Sequence, residues 1–209
     1  MDDIVRQALK KWPNVPHCHG WLALDARGDW YMRDDRMQAA GAFPQVKGSR
    51  IEHEKLRQFI ERNYLHDDAG GWFFQNGPQR VYVELEAAPW VWRLESAAAR
   101  RGAAEAPVIT SHTGLVAQFE SAWLDEHGRL FLATDLGLGI VHTLDMEHAA
   151  SAVEAGLWTP VELSFARLTA QFGHCLVPKP APEPEPEPVP VPAPARPAGT
   201  PDPVPPART

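Results

Sequence analysis

Residues Gly71–Glu95, GWFFQNGPQRVYVELEAAPWVWRLE, leave the backbone few choices. Val81, Val83 and Leu85 alternate with Arg80, Tyr82, Glu84 and Glu86, the period-two pattern of a strand with one buried face. Trp72–Phe74 precedes this strand across a turn. A two-residue Asn-Gly turn would put Pro78 where the closing backbone N–H is needed, and proline has none. A four-residue loop, Asn76 to Gln79, avoids this and pairs Phe74 with Val81, Phe73 with Tyr82 and Trp72 with Val83. Trp72, Phe74, Val81, Val83 and Leu85 then face the core. Phe73, Arg80, Tyr82 and Glu84 form the outer face. After Ala87–Pro89, Trp90–Leu94 alternates again and reads as a third strand, since proline fits at a strand start.

Around this unit the chain divides into short elements. Asp3–Lys11 places Ile4, Val5, Ala8, Leu9 and Trp12 on one stripe, which predicts a helix stopped by Pro13 and Pro16. Gly20–Asp25 and Asp29–Arg33 read as a hairpin around Gly28. Leu124–Asp135 repeats its pattern, LDARGDWYMRDD against LDEHGRLFLATD, and is either a duplicated unit or a second use of a common turn. Ser49–Glu52 has the capping-box pattern and predicts a helix to about Asn63, with His53, Leu56, Ile60 and Tyr64 on its inner face. Ser96–Ala106 is a weak helix or a linker. Val108–Thr110, Phe119–Trp123, Gly139–His142 and Val161–Phe165 read as strands. Asp145 is the expected cap of a helix to Ala155, with Met146, Ala149, Ala150 and Val153 inward.

Fourteen of the 21 prolines lie between Pro178 and Pro206. Alternating proline forbids helix and central strand, so the tail is expected to be extended, reaching about 90 Å at ~3.1 Å per residue. The predicted fold is therefore α+β, an antiparallel sheet built from β-hairpins flanked by two or three helices. It occupies residues 1–177, and a disordered proline-rich tail follows over 178–209. A net charge of −7 without a basic run argues against nucleic acid and anionic membranes as partners. No apolar run is long enough for a membrane span, and the N-terminus lacks a signal-peptide pattern. Two cysteines make no disulfide framework, so a cytoplasmic location is expected.

Phe73–Glu86 (FFQNGPQRVYVELE), with Lys11–Asn14 (KWPN), Gly20–Asp25 (GWLALD) and His142–Met146 (HTLDM), resembles a family of uncharacterised proteobacterial proteins, a domain of unknown function. The resemblance covers most of residues 1–173. It implies no activity and assigns no catalytic residue.

Four groups of residues carry chemistry worth weighing. His17, Cys18 and His19 with His174 and Cys175 would suit zinc if the chain ends met, although no CxxC, HxxxH or HExxH spacing supports it. His112, His142, Asp145 and His148 offer an imidazole–carboxylate pair for acid–base work, against plain capping and solvation. Phe73, Arg80, Tyr82 and Glu84 could form a binding face, unless the Ile51–Asn63 helix covers them. The tail could dock on a protein with an aromatic groove, or serve only as a tether. No dinucleotide, P-loop or nucleophile-elbow pattern occurs, so no cofactor is expected. The reading favoured is a binding or scaffold module with a polyproline tether. A small hydrolase or metal-dependent enzyme is the alternative.

Overall fold

The computed structural model describes residues 1–96 and 106–180. Nearly all of the expected linker, and the tail from residue 181, lie outside the described residues. The first half contains α1 (Asp3–Lys11), β1 (Cys18–Leu24), β2 (Trp30–Met32), α2 (Asp35–Ala40), β3 (Ser49–Arg50), α3 (Glu54–Arg62), β4 (Tyr64–His66), β5 (Trp72–Asn76) and β6 (Gln79–Leu85). The second contains β7 (Trp90–Glu95), β8 (Val108–Ser111), β9 (Val116–Ala117), β10 (Phe119–Leu124), β11 (Leu130–Thr134) and β12 (Gly137–Val141). A 3-10 turn (Thr143–Asp145), α4 (Met146–Glu154), β13 (Val161–Glu162) and α5 (Phe165–Phe172) complete it. The class is α+β, with hairpins as its building blocks.

The strands form two mixed sheets, ordered β3-β2-β1-β6-β5-β4 and β13-β10-β11-β12-β7-β8-β9. Trp90–Leu94 is a strand, but it leaves the hairpin before it. β7 pairs in parallel with β12, Trp92 opposite Val141, and antiparallel with β8. The chain changes sheets at Ala87–Ala88–Pro89, where both alanines are buried in a second cluster with Val91, Phe131 and Leu168. One cluster of buried side chains, including Leu24, Trp30, Val83, Trp90, Trp92 and Leu132, joins both sheets.

The β5–β6 register is the expected one at Phe73–Tyr82 and Phe74–Val81, but the loop is shorter. Asn76 also pairs with Gln79, leaving Gly77–Pro78 as a two-residue turn. Gly77 has φ +57° and takes the first turn position, so Pro78 falls second, where no N–H is required. The proline objection applied to an Asn-Gly turn, and shifting the turn by one residue removes it.

The capping box does not start a helix. Ser49 and Arg50 pair with Met32 and Tyr31 at the edge of the first sheet, so their backbone is committed to a ladder. α3 begins at Glu54, and His53 is its exposed cap, with Nδ1 accepting the Leu56 N–H at 3.3 Å. α3 packs on the core face of the sheet, Phe59 against Phe74 at 5.3 Å between ring centroids. It does not cover the outer face, where Phe73 and Tyr82 are nonetheless buried. α4 starts at Met146, which turns Ala149 and Ala152 inward and leaves Ala150 and Val153 exposed.

The repeated pattern around Gly28 and Gly128 extends to geometry and wiring. In each turn one aspartate oxygen accepts two backbone N–H groups, Arg27 and Asp29 at Asp25, His127 and Arg129 at Asp125. β1, β2 and β3 form an antiparallel meander, α3 follows, and β6 returns parallel to β1. β10, β11 and β12 form another, α4 follows, and β13 returns parallel to β10. The common turn alone does not account for this shared order of strands and helix.

The end of the described chain straps the first sheet. Cys175 donates its backbone N–H to Gly70 O (2.9 Å), and Leu85 donates to Leu176 O (2.8 Å). α5, which precedes this strap, begins at Phe165, where the expected strand Val161–Phe165 ends, and only Val161–Glu162 of that strand pairs. No helix among the described residues is long and apolar enough to cross a membrane.

Candidate functional site

The two sheets meet at a polar cleft of about 510 Å³ lined by Asp25, Arg27, Asp29, Tyr31, Lys47, Arg50, Arg93 and His142. The Asp25–Asp29 turn and Arg50 come from the first sheet. Arg93 comes from β7, and His142 follows β12. Each carboxylate is already engaged. Asp25 takes the two turn N–H groups on one oxygen, and Lys47 Nζ (2.8 Å) and the Tyr31 hydroxyl (3.2 Å) on the other. Burial raises its affinity for a proton, but these donors outweigh it and hold the carboxyl below the usual range. Lys47 also pairs with Glu86 at 3.5 Å, and Arg50 with Asp29 at 2.6 Å.

Asp145 lies behind Arg93, accepting from its Nε (2.6 Å) and Nη2 (3.2 Å) and from the Leu94 N–H (3.1 Å). Burial opposes its ionisation, and these donors more than offset that, so its pKa is lowered. Its side chain does not cap α4. His142 takes the capping role for the preceding turn, its Nδ1 accepting the Leu144 N–H at 3.1 Å. The proton of the neutral ring therefore sits on Nε2. Burial, then the Arg93 charge, keeps this ring neutral to lower pH than a free histidine.

Replacing Asp145 by alanine is expected to cost about 1–3 kcal/mol, since it orphans the buried Leu94 N–H and removes charged hydrogen bonds. The half-exposed Arg93 keeps the loss at the lower part of that range. Urea unfolding of D145A and D145N measures it, with asparagine expected to recover part of the loss by accepting from Leu94. Equal losses would contradict the assignment of Asp145 as that acceptor.

The acid–base group weighed as a candidate from sequence is divided. His142 and Asp145 stand together, but His148 Nδ1 lies 3.3 Å from Ser96 Oγ. His112 is deep among Trp30, Tyr64 and Trp90, with ring centroids 5.7, 6.0 and 5.9 Å away. Its Nδ1 accepts the Val91 N–H at 3.3 Å, so it is a core histidine with no access to the cleft.

The expected binding face is partly assembled and partly filled from within. Arg80 lies over the Phe73 ring at 4.4 Å, and the Tyr82 hydroxyl donates to Asp67 at 2.8 Å. His19 stacks on Tyr82 at 4.5 Å, and His17 meets its edge at 5.9 Å. Glu84 belongs elsewhere, in a largely buried ion pair with Arg33. The side chains at 17 and 19 thus serve the outer face of the sheet.

The chain ends do not build the metal centre weighed as a candidate from sequence. His174 Nε2 lies 3.2 Å from Ala87 O, and its ring lines a separate cavity of about 310 Å³ with His66, Asp67, Trp72 and Phe172. Among the described residues no group of three or more His, Cys, Asp or Glu side chains is placed to hold a metal ion. Burial pushes the Cys18 thiol up, the opposite of what an activated nucleophile needs.

Sequence reasoning missed Arg27, Lys47, Arg50 and Arg93 as a group. Arg27 and Arg50 did carry a signal, through their positions in the first meander beside Asp25 and Asp29. Arg93 joins them only when β7 crosses to the second sheet.

The family described as "Protein of unknown function (DUF2946)" matches residues 1–179. Among solved structures, a DUF1285 family protein from Silicibacter pomeroyi DSS-3 is similar at 13% identity. That match covers 71% of this chain and 83% of the other, with a TM-score of 0.45. A DUF1285 family protein from Shewanella baltica OS155 is similar at 15% identity, covering 66% of this chain and 96% of the other, with a TM-score of 0.42. No curated protein matches the chain.

Proposed function

The chain belongs to this family of proteins of unknown function, and from that premise we propose that it is a binding module holding a small oxyanion-bearing molecule in the cleft between its sheets. One observation carries the reading: the cleft has spare hydrogen-bond donors and few spare acceptors. Arg27 has no ion-pair partner among the described residues, and Arg50 uses a single nitrogen on Asp29. His142 directs its remaining proton away from the Leu144 amide. The carboxylates opposite are committed to donors of their own. Formal charges nearly balance, but a carboxylate or phosphate ligand would satisfy groups that no side chain does.

Binding is favoured over hydrolysis for a chemical reason. A general base needs a pKa near the working pH. The aspartates at Asp25 and Asp145 are pushed down, and His142 is pushed down by burial. The cleft also holds no serine or cysteine nucleophile. A net charge of −7 favours a small ligand over nucleic acid or an anionic membrane. A cytoplasmic setting would suit the two free cysteines, and the tail would give the module reach toward a protein partner.

Calorimetric titration of the full chain with inorganic pyrophosphate, and separately with citrate, tests the reading. Saturable binding of one of them is expected, weakened about tenfold or more by Arg27→Glu, equivalent to ~1.4 kcal/mol. Preference between the two probes assigns phosphate or carboxylate. Absence of binding at millimolar concentration, or binding indifferent to Arg27→Glu, overturns it.

A further inference from the structure

We infer that the cavity beside His174 is a second binding site, built for a small molecule that joins a protonated amine to an apolar ring. None of its residues belongs to the cleft. β12 begins at this cavity, with Gly137, and His142 of the cleft wall follows its other end.

Three stretches far apart in sequence enclose the cavity. The end of β4 and the turn after it supply residues 66–68, the β11–β12 turn supplies residues 136–138, and the end of α5 supplies Phe172 and His174. Gly70 joins the first stretch to the last. A Cβ there would collide with Gly173 O, and Gly70 O accepts the Cys175 N–H at 2.9 Å. At about 310 Å³ the cavity is near the lower end of ligand pockets, roughly 300–1,000 Å³, which suits a one-ring molecule.

Its polar wall is made of acceptors. His174 is 7% exposed, and its Nε2 lies 3.2 Å from Ala87 O, so the neutral ring carries its proton there. Nδ1, on the other side of the ring, is then an acceptor, and it has no partner among the described residues. A buried acceptor without a donor is a cost that a ligand N–H removes. Burial lowers the pKa of this ring and keeps it neutral, and the Ala87 contact opposes that only in part.

Asp67 is held ionised. Burial opposes its charge, but the Tyr82 hydroxyl and the Gly71 and Ala69 N–H groups outweigh it. Asp68 is an exposed carboxylate on the same wall. No lysine or arginine among the described residues lines the cavity. Arg80, whose charge also favours the Asp67 carboxylate, lies over the Phe73 ring on the outer face. Carboxylates and an imidazole acceptor without a cation suit a ligand that brings positive charge and N–H donors, as an ammonium does. Trp72 and Phe172 supply aromatic wall for its ring, and an indole beside an ammonium adds cation–π attraction. The net charge of −7 draws such a cation in.

The experiment titrates the full chain with phenethylamine and, separately, with 2-phenylethanol, its uncharged counterpart. Phenethylammonium is expected to bind saturably, and the alcohol about tenfold or more weaker, equivalent to ~1.4 kcal/mol. The ¹⁵N NMR signal of His174 Nδ1 should move upfield on saturation, as an imidazole nitrogen does when it accepts a hydrogen bond. Asp68→Asn should weaken amine binding about two- to fivefold, the worth of an exposed charge pair. Glu162→Gln, which removes an exposed carboxylate on β13, should leave it unchanged.

Absence of saturable phenethylamine binding at millimolar concentration overturns the inference. Equal affinity for amine and alcohol, or a His174 Nδ1 signal unmoved at saturation, does the same. Equal weakening by D68N and E162Q also overturns it, because it marks a general charge effect. None of these outcomes touches the oxyanion reading, whose probes are anions and whose residues are different. Failure of those anions to bind would likewise leave the amine site standing.

Discussion

Replacing Trp92 by alanine should destabilise the protein by about 3–5 kcal/mol, the largest loss expected from any single truncation here. Trp92 is fully buried, stacks on Trp90 at 6.0 Å, and donates its indole N–H to Leu132 O at 3.0 Å. It lies where the parallel strand β7 meets β12, so its loss opens the seam of the second sheet. Gly139 in β12 exists to make room for it. A Cβ at that position would stand 2.5 Å from Trp92 Cε2 and 2.7 Å from Trp90 Cβ. Gly139→Ala should therefore cost about 1–3 kcal/mol by overpacking. The two effects share a cause, so G139A/W92L should lose less than the sum of its single variants. Urea midpoints at constant slope measure all four proteins. Strict additivity would disprove the contact.

The second large effect is a pH dependence centred on one ring. Burial pushes the His112 pKa down from 6.5 to about 3. In the unfolded chain the imidazole takes a proton below about pH 6.5, and in the folded chain it refuses one until about pH 3. The unfolded state thus binds more protons between those values. Stability is complete above pH 6.5 and is lost as pH falls through that window. At pH 4.5, two units below the unfolded value, the loss from this residue is about 2–3 kcal/mol. His17, His19, His142 and His174 shift in the same direction and add to the slope. Asp25, Asp125 and Asp145 have lowered pKa values, so their contributions are lost only below about pH 4. His112→Gln, whose amide oxygen can still accept the Val91 N–H, isolates the ring. Its difference in unfolding free energy between pH 7 and 4.5 should shrink by about 2–3 kcal/mol relative to the parent. An unchanged difference would mean that the ring is reached by solvent.

Much of the fold is legible where periodicity acts locally. Asp3–Lys11 folds as a helix with the expected bounds, although Ile4 and Trp12 of its stripe are exposed, and Phe73 and Tyr82 pair as alternation requires. What local pattern does not contain is the partner of a strand. Nothing in Trp90–Leu94 says that Val141 will lie beside it in parallel, and nothing in Ser49–Arg50 says that Tyr31 will claim its backbone. In both places a long-range ladder decided the outcome. Ser49 had local cap chemistry available, and the sheet edge used its backbone first.

The site is less legible for the same reason. Imidazoles draw attention in a sequence, yet His112 is filler for an aromatic core and His53 is a helix cap. The cleft is made by arginines and a lysine that look like ordinary surface charges. They converge only because the crossover at Ala87–Pro89 puts Arg93 opposite the Asp25 turn. His142 and Asp145 were identifiable, but as an acid–base pair. Their hydrogen bonds to Leu144, Leu94 and Arg93 show that they hold the cleft wall in place.

The strap at Cys175–Leu176 sets an order of events during synthesis. Leu85 leaves the ribosome 91 residues before Leu176, the residue that accepts its N–H. At about 5–20 residues per second, the first sheet waits roughly 5–20 s with the end of its interior strand β6, beyond the β5 pairing, open on one side. An open strand edge is a template for pairing with another chain. The nascent first half is thus exposed to a transient hazard that the newborn chain itself removes, when Cys175 and Leu176 arrive.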